Sequence, residues 1–197
     1  RFTHAEINHK IQDVRLHSCH NDEDKGQRYA TCPVCRVFGM PGEGKVKADH
    51  PTPLIVRDVK LDPASLAGVE NYTEVKWEAA IDRITSAAVP RQMERVPAGA
   101  VFEPLEIVFN VYSGDGLQRL PGVLVALQLV EDDYLGGLGS RGSGKVSFTD
   151  LTLTCKWPDG DKRHYQSSDP RPIPDLAKAV EDQELWNWVA QKIKTEG

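Results

Sequence analysis

"GGLGSRGSGK", residues 136–145, is the stretch whose reading decides the fold class. Its inner six residues, Gly137-Leu138-Gly139-Ser140-Arg141-Gly142, match the dinucleotide fingerprint G-x-G-x-x-G letter for letter. That fingerprint works only between a strand and a helix, because the helix N-terminus must meet the pyrophosphate. Here the order is reversed. Upstream, "GVLVALQLVEDD" (122–133) has apolar residues at Leu124, Leu127 and Val130, spacing that suits a buried helix, with a strand as the alternative that period alone leaves open. Downstream, "KVSFTDLTLTCKW" (145–157) alternates as a strand through Val146, Phe148, Leu151, Leu153 and Cys155, with a break near Asp150. The acid expected about twenty positions further on falls at Asp159 or Asp161, in a turn rather than at a strand end. A P-loop is excluded too, because Val146 follows Gly144-Lys145 where a Ser or Thr should hold magnesium. Two readings of the loop stay open. It is a tight turn that needs positive φ, or its bare amides, with Arg141, line a polyanion backbone.

Strands and helices mix elsewhere without βαβ alternation, which predicts an α+β fold. Residues 1–16 read as a helix tail or an irregular lead-in, and 17–44 as a polar loop. "TPLIVRDVKL" (52–61) reads as a strand and "TEVKWEAAIDR" (73–83) as a strand or hairpin arm. "TSAAVPRQMERVPAGA" (85–100), with two prolines and no clean period, reads as an extended hairpin tip, and 101–114 as a strand. "PDGD" (158–161) is a turn returning through 162–166. "DPRPIPD" (169–175) reads as a linker before a terminal helix with Leu185, Val189 and Ile193 on one face.

"HSCH" (17–20) and "CPVC" (32–35) form the densest chemical cluster. Three thiolates and one imidazole make a closed tetrahedral zinc site of structural type. The predicted ligands are His17, Cys19, Cys32 and Cys35, with His20 as the alternative to His17. A thioredoxin-like redox pair competes, but it requires a βαβ context that is absent. Cys155, alone on a strand, reads as a small buried hydrophobe.

The 197 residues are 40% hydrophobic and suffice for one domain with a real core. A net charge of -5 weighs against nucleic-acid binding on average, but says nothing of local basic patches. No apolar run reaches membrane-spanning length and no secretory signal is visible. Without one, four cysteines do not form a disulfide framework, and a cytoplasmic location with no membrane partner is expected. The chain opens at Arg1 rather than Met, so a trimmed piece is expected.

Together, "CPVCRVFG" (32–39), "IDRITSAAVPRQMERVPAGAVFE" (81–103) and "YLGGLGSRGSGKV" (134–146) resemble the backbone subunit of type III (Csm-like) CRISPR effector complexes, in the RAMP superfamily. The resemblance covers about residues 15–155. It implies one RAMP domain over 1–197 with a ferredoxin-like, RNA-recognition-motif-like core. The parts would be a zinc-binding insertion at 17–44, a thumb hairpin at 81–102, the Gly-rich loop at 134–146 and a C-terminal helix at 175–194. It implies that copies stack into a filament along a CRISPR guide RNA, beside other type III effector subunits, on a target single-stranded RNA. The thumb would use Arg83, Arg91, Gln92, Met93 and Arg95. The loop would meet the guide with Gly136, Gly137, Ser140, Arg141, Gly142, Gly144 and Lys145. Such contacts are sequence-blind, as guide binding requires. The family cuts target RNA with a metal-assisted acid, which implies a divalent ion such as magnesium. That acid would lie upstream of Arg1, so no catalytic residue is assigned: Asp49, His50, Asp58 and Asp82 belong to no motif. The rival is a stand-alone zinc-containing enzyme that uses the loop for the phosphate of a nucleotide.

Overall fold

The computed structural model describes residues 9–11, 14–21, 26–69, 71–112, 118–166, 173–174, 177 and 183–195. The chain divides into two compact units, Arg1–Ile55 with Val108–Gly197, and Val56–Ile107. Helices and small antiparallel sheets mix in them, as the absence of βαβ alternation predicted. The element order is β1 (His9–Ile11), β2 (Val14–Leu16), α1 (Gln27–Thr31), α2 (Cys35–Phe38), β3 (Leu54–Val56), β4 (Glu74–Ile81), β5 (Ala88–Arg95) and β6 (Ile107–Phe109). Then come α3 (Leu120–Asp132), β7 (Thr152–Lys156), β8 (Lys162–Gln166) and α4 (Gln183–Thr195). Strands pair two by two, β1 with β2, β3 with β6, β4 with β5 and β7 with β8.

The larger unit is built on two amphipathic helices. In α3, Leu120, Val123 and Leu124 are buried and Leu127 packs beside them, an i, i+3, i+4, i+7 stripe. Pro121 sits in its first turn, where a missing N–H costs nothing. In α4, Leu185, Trp188 and Val189 form the matching stripe. Leu120, Leu124, Leu185, Trp188 and Val189, with Ile173, make one core that Phe148, Leu151, Leu153, Cys155 and Tyr165 pack against. Trp157 meets Trp188 edge to face, with centroids 6.3 Å apart. The side chain of Ile193 lies outside the described residues.

Several expectations change here: of residues 1–16, read as a helix tail or lead-in, 9–11 and 14–16 pair as β1 and β2, and the strand read over 52–61 is regular only at Leu54–Val56. Ile173, read as part of a linker, is a fully buried core residue. A lone Ile among prolines has no period to betray it. The strand expected over 145–157 pairs only from Thr152 to Lys156, because β8 ends at Gln166. Phe148 and Leu151 reach the core without a ladder. Among its described residues, the strand expected over 101–114 is regular only at Ile107–Phe109, and Glu103–Pro104 within it is a cis peptide bond.

The smaller unit carries the longest ladder. β4 and β5 pair antiparallel from Glu74↔Arg95 to Ile81↔Ala88. Asp82 closes the turn: its carboxylate accepts the N–H of Ile84 at 2.8 Å and of Thr85 at 2.9 Å. Those two amides hold its carboxyl below the usual carboxylate range. At the base, the side chain of Asp62 caps a short 3-10 turn at Pro63–Leu66 by accepting from the Ala64 N–H, and Leu66 is buried.

Candidate metal centre and nucleic-acid interface

α1 and α2 are too short to stand alone. They are held by a small core of Cys19, Tyr29, Cys32, Cys35 and Val46. Within it the ligand atoms of His17, Cys19, Cys32 and Cys35 all lie within 4.8 Å of one another. The His17 Nε2 is 3.2 Å from the Cys32 Sγ and 3.4 Å from the Cys19 Sγ. His20 is turned away into another network. Its Nδ1–H donates to the Ser18 Oγ at 2.8 Å and its Nε2 accepts from the Asn21 amide at 3.0 Å. So the geometry gathers His17, the first of the two histidines weighed, with all three cysteines. The Val46 N–H closes the loop on the His20 carbonyl at 3.0 Å. A Cβ on Gly44 would run into that same carbonyl, so only glycine passes there.

The donor set fits a thiophilic ion. With no ion bound, burial and the neighbouring thiols push the Cys19 thiol far up, and burial leads the rise at Cys35. Burial also pushes on Cys32, but the Cys35 amide, the His17 imidazole and the Val34 amide outweigh it and bring that thiol below its ordinary value. A cation among the sulfurs would turn all three into thiolates.

The frame around this cluster was not foreseen. Arg36, directly after Cys35, is buried and donates from one nitrogen to both oxygens of Asp49, at 2.5 and 2.6 Å. Its guanidinium lies 5.1 Å from the Tyr29 ring centroid, and the Tyr29 hydroxyl also donates to Asp49. Asp49 and His50 were noted as acids and bases without a motif. Asp49 is the carboxylate of this ion pair, and His50 stacks on Tyr112 at 4.8 Å. In the sequence, only an Arg directly after the C-x-x-C pair marks it.

The β4–β5 hairpin sorts the predicted contacts by face. Arg91, Met93 and Arg95 share one face with Glu78, Lys76 and Glu74. Arg91 pairs with Glu78 at 3.2 Å, and Arg95 bonds Glu74. Gln92 points the other way, opposite Trp77, and Arg83 lies in the turn. The turn itself is Asp82–Ala87, so Arg91 to Arg95 stand on the return strand rather than at a tip. Burial along β4 is inverted from that of a core strand: Glu74, Lys76 and Glu78 are half-buried, while Val75, Trp77 and Ile81 are exposed. Trp77 is 64% exposed and Ile84 in the turn 95%.

The Gly-rich loop sits between a helix and a strand, as read from the sequence. Gly136, Leu138, Gly142 and Gly144 take positive φ, the conformation that a tight turn demands. The loop spends several amides on itself: Arg141 and Ser143 donate to the Leu138 carbonyl, Gly142 to Gly139, and Leu135 to Gly144. A Cβ on Gly144 would strike the Leu135 carbonyl. Lys145 bonds the Glu131 carbonyl at the end of α3, and the Glu131 carboxylate accepts the Phe148 N–H at 2.6 Å. So Lys145 is folded back on the helix, while Gly136, Gly137, Ser140 and Arg141 are exposed.

Among the described residues no helix is long and apolar enough to cross a membrane. Residues 6–147 match the family model described as the RAMP superfamily. The chain is 38% identical over 141 residues to the CRISPR system Cms endoribonuclease Csm3 of Methanocaldococcus jannaschii, covering 70% of this chain and 54% of that protein. It is 41% identical over 134 residues to the protein of the same name from Streptococcus thermophilus, covering 65% of this chain and 59% of that one. For that of Methanothermobacter thermautotrophicus the figures are 38% over 139 residues, 62% and 56%. The chain spans a little over half the length of each of these relatives.

Proposed function

This chain belongs to the RAMP superfamily, and we propose that it is the guide-RNA-binding backbone subunit of a type III CRISPR interference complex. The observation that carries the proposal is its 38% identity over 141 residues to a protein named as a CRISPR endoribonuclease. In this reading the core is ferredoxin-like, copies stack along the guide, and the β4–β5 hairpin is the part that enters the guide–target duplex. Arg83 and Arg91 on the hairpin and Arg141 in the loop meet phosphate, while Met93 offers an apolar wedge. The whole protein cleaves target RNA with a divalent ion such as magnesium. No residue described here is assigned to that step. The loop's inward-turned amides support its use as an exposed rim for a polymer backbone, rather than as a cradle for the phosphate of one nucleotide.

The test is binding of single-stranded RNA across a salt series. Affinity should fall steeply with salt, and Arg141→Glu and Arg91→Glu should each weaken it and lessen the slope. A protein with no RNA affinity at low salt refutes the reading.

The metal is zinc, held by His17, Cys19, Cys32 and Cys35, and it staples the loop rather than reacting, because four protein donors leave no open position. Elemental analysis should find about one zinc per chain. Cys32→Ser should lose it together with stability. A metal-free, fully stable wild type would refute this assignment.

A further inference from the structure

Asp49 is held from two sides, by α2, which opens with Cys35, and by α1, which Cys32 caps. Arg36 of α2 donates to both of its oxygens, and Tyr29 of α1 donates to one of them. The chain then runs through residues 50–53 into the β3–β6 ladder. The His50 ring stacks on Tyr112 and its Nδ1–H donates to the Pro51 carbonyl at 2.8 Å. Two residues on, the Pro53 carbonyl accepts the Asn110 N–H at 2.9 Å. That bond lies at the paired segments where the chain leaves the larger unit after Ile55 and re-enters it at Val108.

α1 and α2, of five and four residues, have little helical stability of their own. An ion bound by Cys32, which caps α1, and by Cys35, which opens α2, would fix the distance between them. Without the ion, three thiols and an imidazole offer only weak hydrogen bonds, and two backbone bonds, Cys32 N–H to the Tyr29 carbonyl and Arg36 N–H to the Cys32 carbonyl, are left to hold Tyr29 and Arg36 together. We infer that the Arg36–Asp49 pair is a metal-dependent strut, through which an ion bound at His17, Cys19, Cys32 and Cys35 orders residues 49–53 and the Pro53–Asn110 end of the β3–β6 ladder. Arg36 is a positioning residue in this scheme, with no role as a ligand. The inference rests on the metal reading of the cluster and is independent of RNA binding.

The test follows amide exchange residue by residue in the full chain, loaded with zinc and then stripped by chelator. Three amides report: Val46 beside the cluster, Asn110 at the far end of the strut, and Trp157, bonded to Asp161 within the same unit, as reference. Stripping should speed exchange at Val46 and Asn110 by about tenfold or more while Trp157 stays unchanged, as local opening does. Arg36→Met keeps the side-chain bulk and removes the charge. It should still take up zinc and protect Val46, but its Asn110 should exchange fast with or without metal. If stripping affects Val46 and leaves Asn110 unchanged, the ion orders only its own loop and the strut is overturned. A rise at Trp157 in step with Asn110 means global loosening and also overturns it. A chain that takes up no zinc defeats the metal reading itself, which elemental analysis separates from the other outcomes.

Discussion

At the scale of single residues, the buried contacts divide into those that local sequence announces and those that only folding creates. Leu185 is completely buried and fell on the predicted face of α4. Leu185→Ala should cost about 2–5 kcal/mol, read from the urea midpoint. Gly44 carried no such announcement, because its constraint is the His20 carbonyl, twenty-four residues away in sequence. Gly44→Ala should open the metal loop and be read as weaker zinc retention against a chelator. The Arg36–Asp49 pair was equally hidden, joining residues thirteen apart that share no motif. It leaves a mark on acid stability. The Arg36 hydrogen bond holds the Asp49 carboxyl below its ordinary value. The stability this gives is present above the unfolded carboxylate pKa, about 3.9, and is lost as pH falls through the lower folded value. Asp49 is 61% exposed, so the effect is modest. Asp49→Asn should flatten that acid limb in a stability–pH profile and leave the neutral range lower throughout.

At the scale of elements, period and turn chemistry placed α3 and the β7–β8 hairpin, and the inverted order around the glycines disposed of the dinucleotide motif. The β4–β5 hairpin shows where such reading stops. Pro90 suggested a tip, yet it sits inside β5 opposite Ala79. A two-stranded ribbon is all edge, and an edge tolerates a residue without an N–H. The sequence could list Arg91 and Arg95, but not that Glu78 and Glu74 stand across from them. Those carboxylates compete with phosphate for the same guanidinium groups. Glu74→Gln with Glu78→Gln should therefore raise affinity for single-stranded RNA and steepen its salt dependence. Unchanged affinity in a filter-binding titration would remove this face from the interface.

At the scale of the whole molecule, each of the two units has its own reason to be folded. The larger combines an apolar core with a cluster suited to a metal. The smaller holds Leu66 and a long ribbon whose apolar face is open to water. A net charge of -5 gave no hint of either, because it is a sum over the whole chain. The four-ligand cluster was legible because its spacing is short and its chemistry narrow. The family was legible from three motifs in order. The division into units was not legible, since it depends on segments that pair across about fifty residues, Leu54–Val56 with Ile107–Phe109.

The carboxylates on the hairpin's charged face carry one more consequence. A lone mononucleotide that lands on Arg91 or Arg95 must displace a tethered Glu, whose effective concentration is of millimolar order. It meets that competitor with the charge of a single phosphate group and gains no second contact. A polymer brings neighbouring phosphates on a single backbone, so the first displacement makes the next intramolecular. Under the proposed RNA-binding role, the two ion pairs would thus favour a long anion over a single phosphate group by avidity alone.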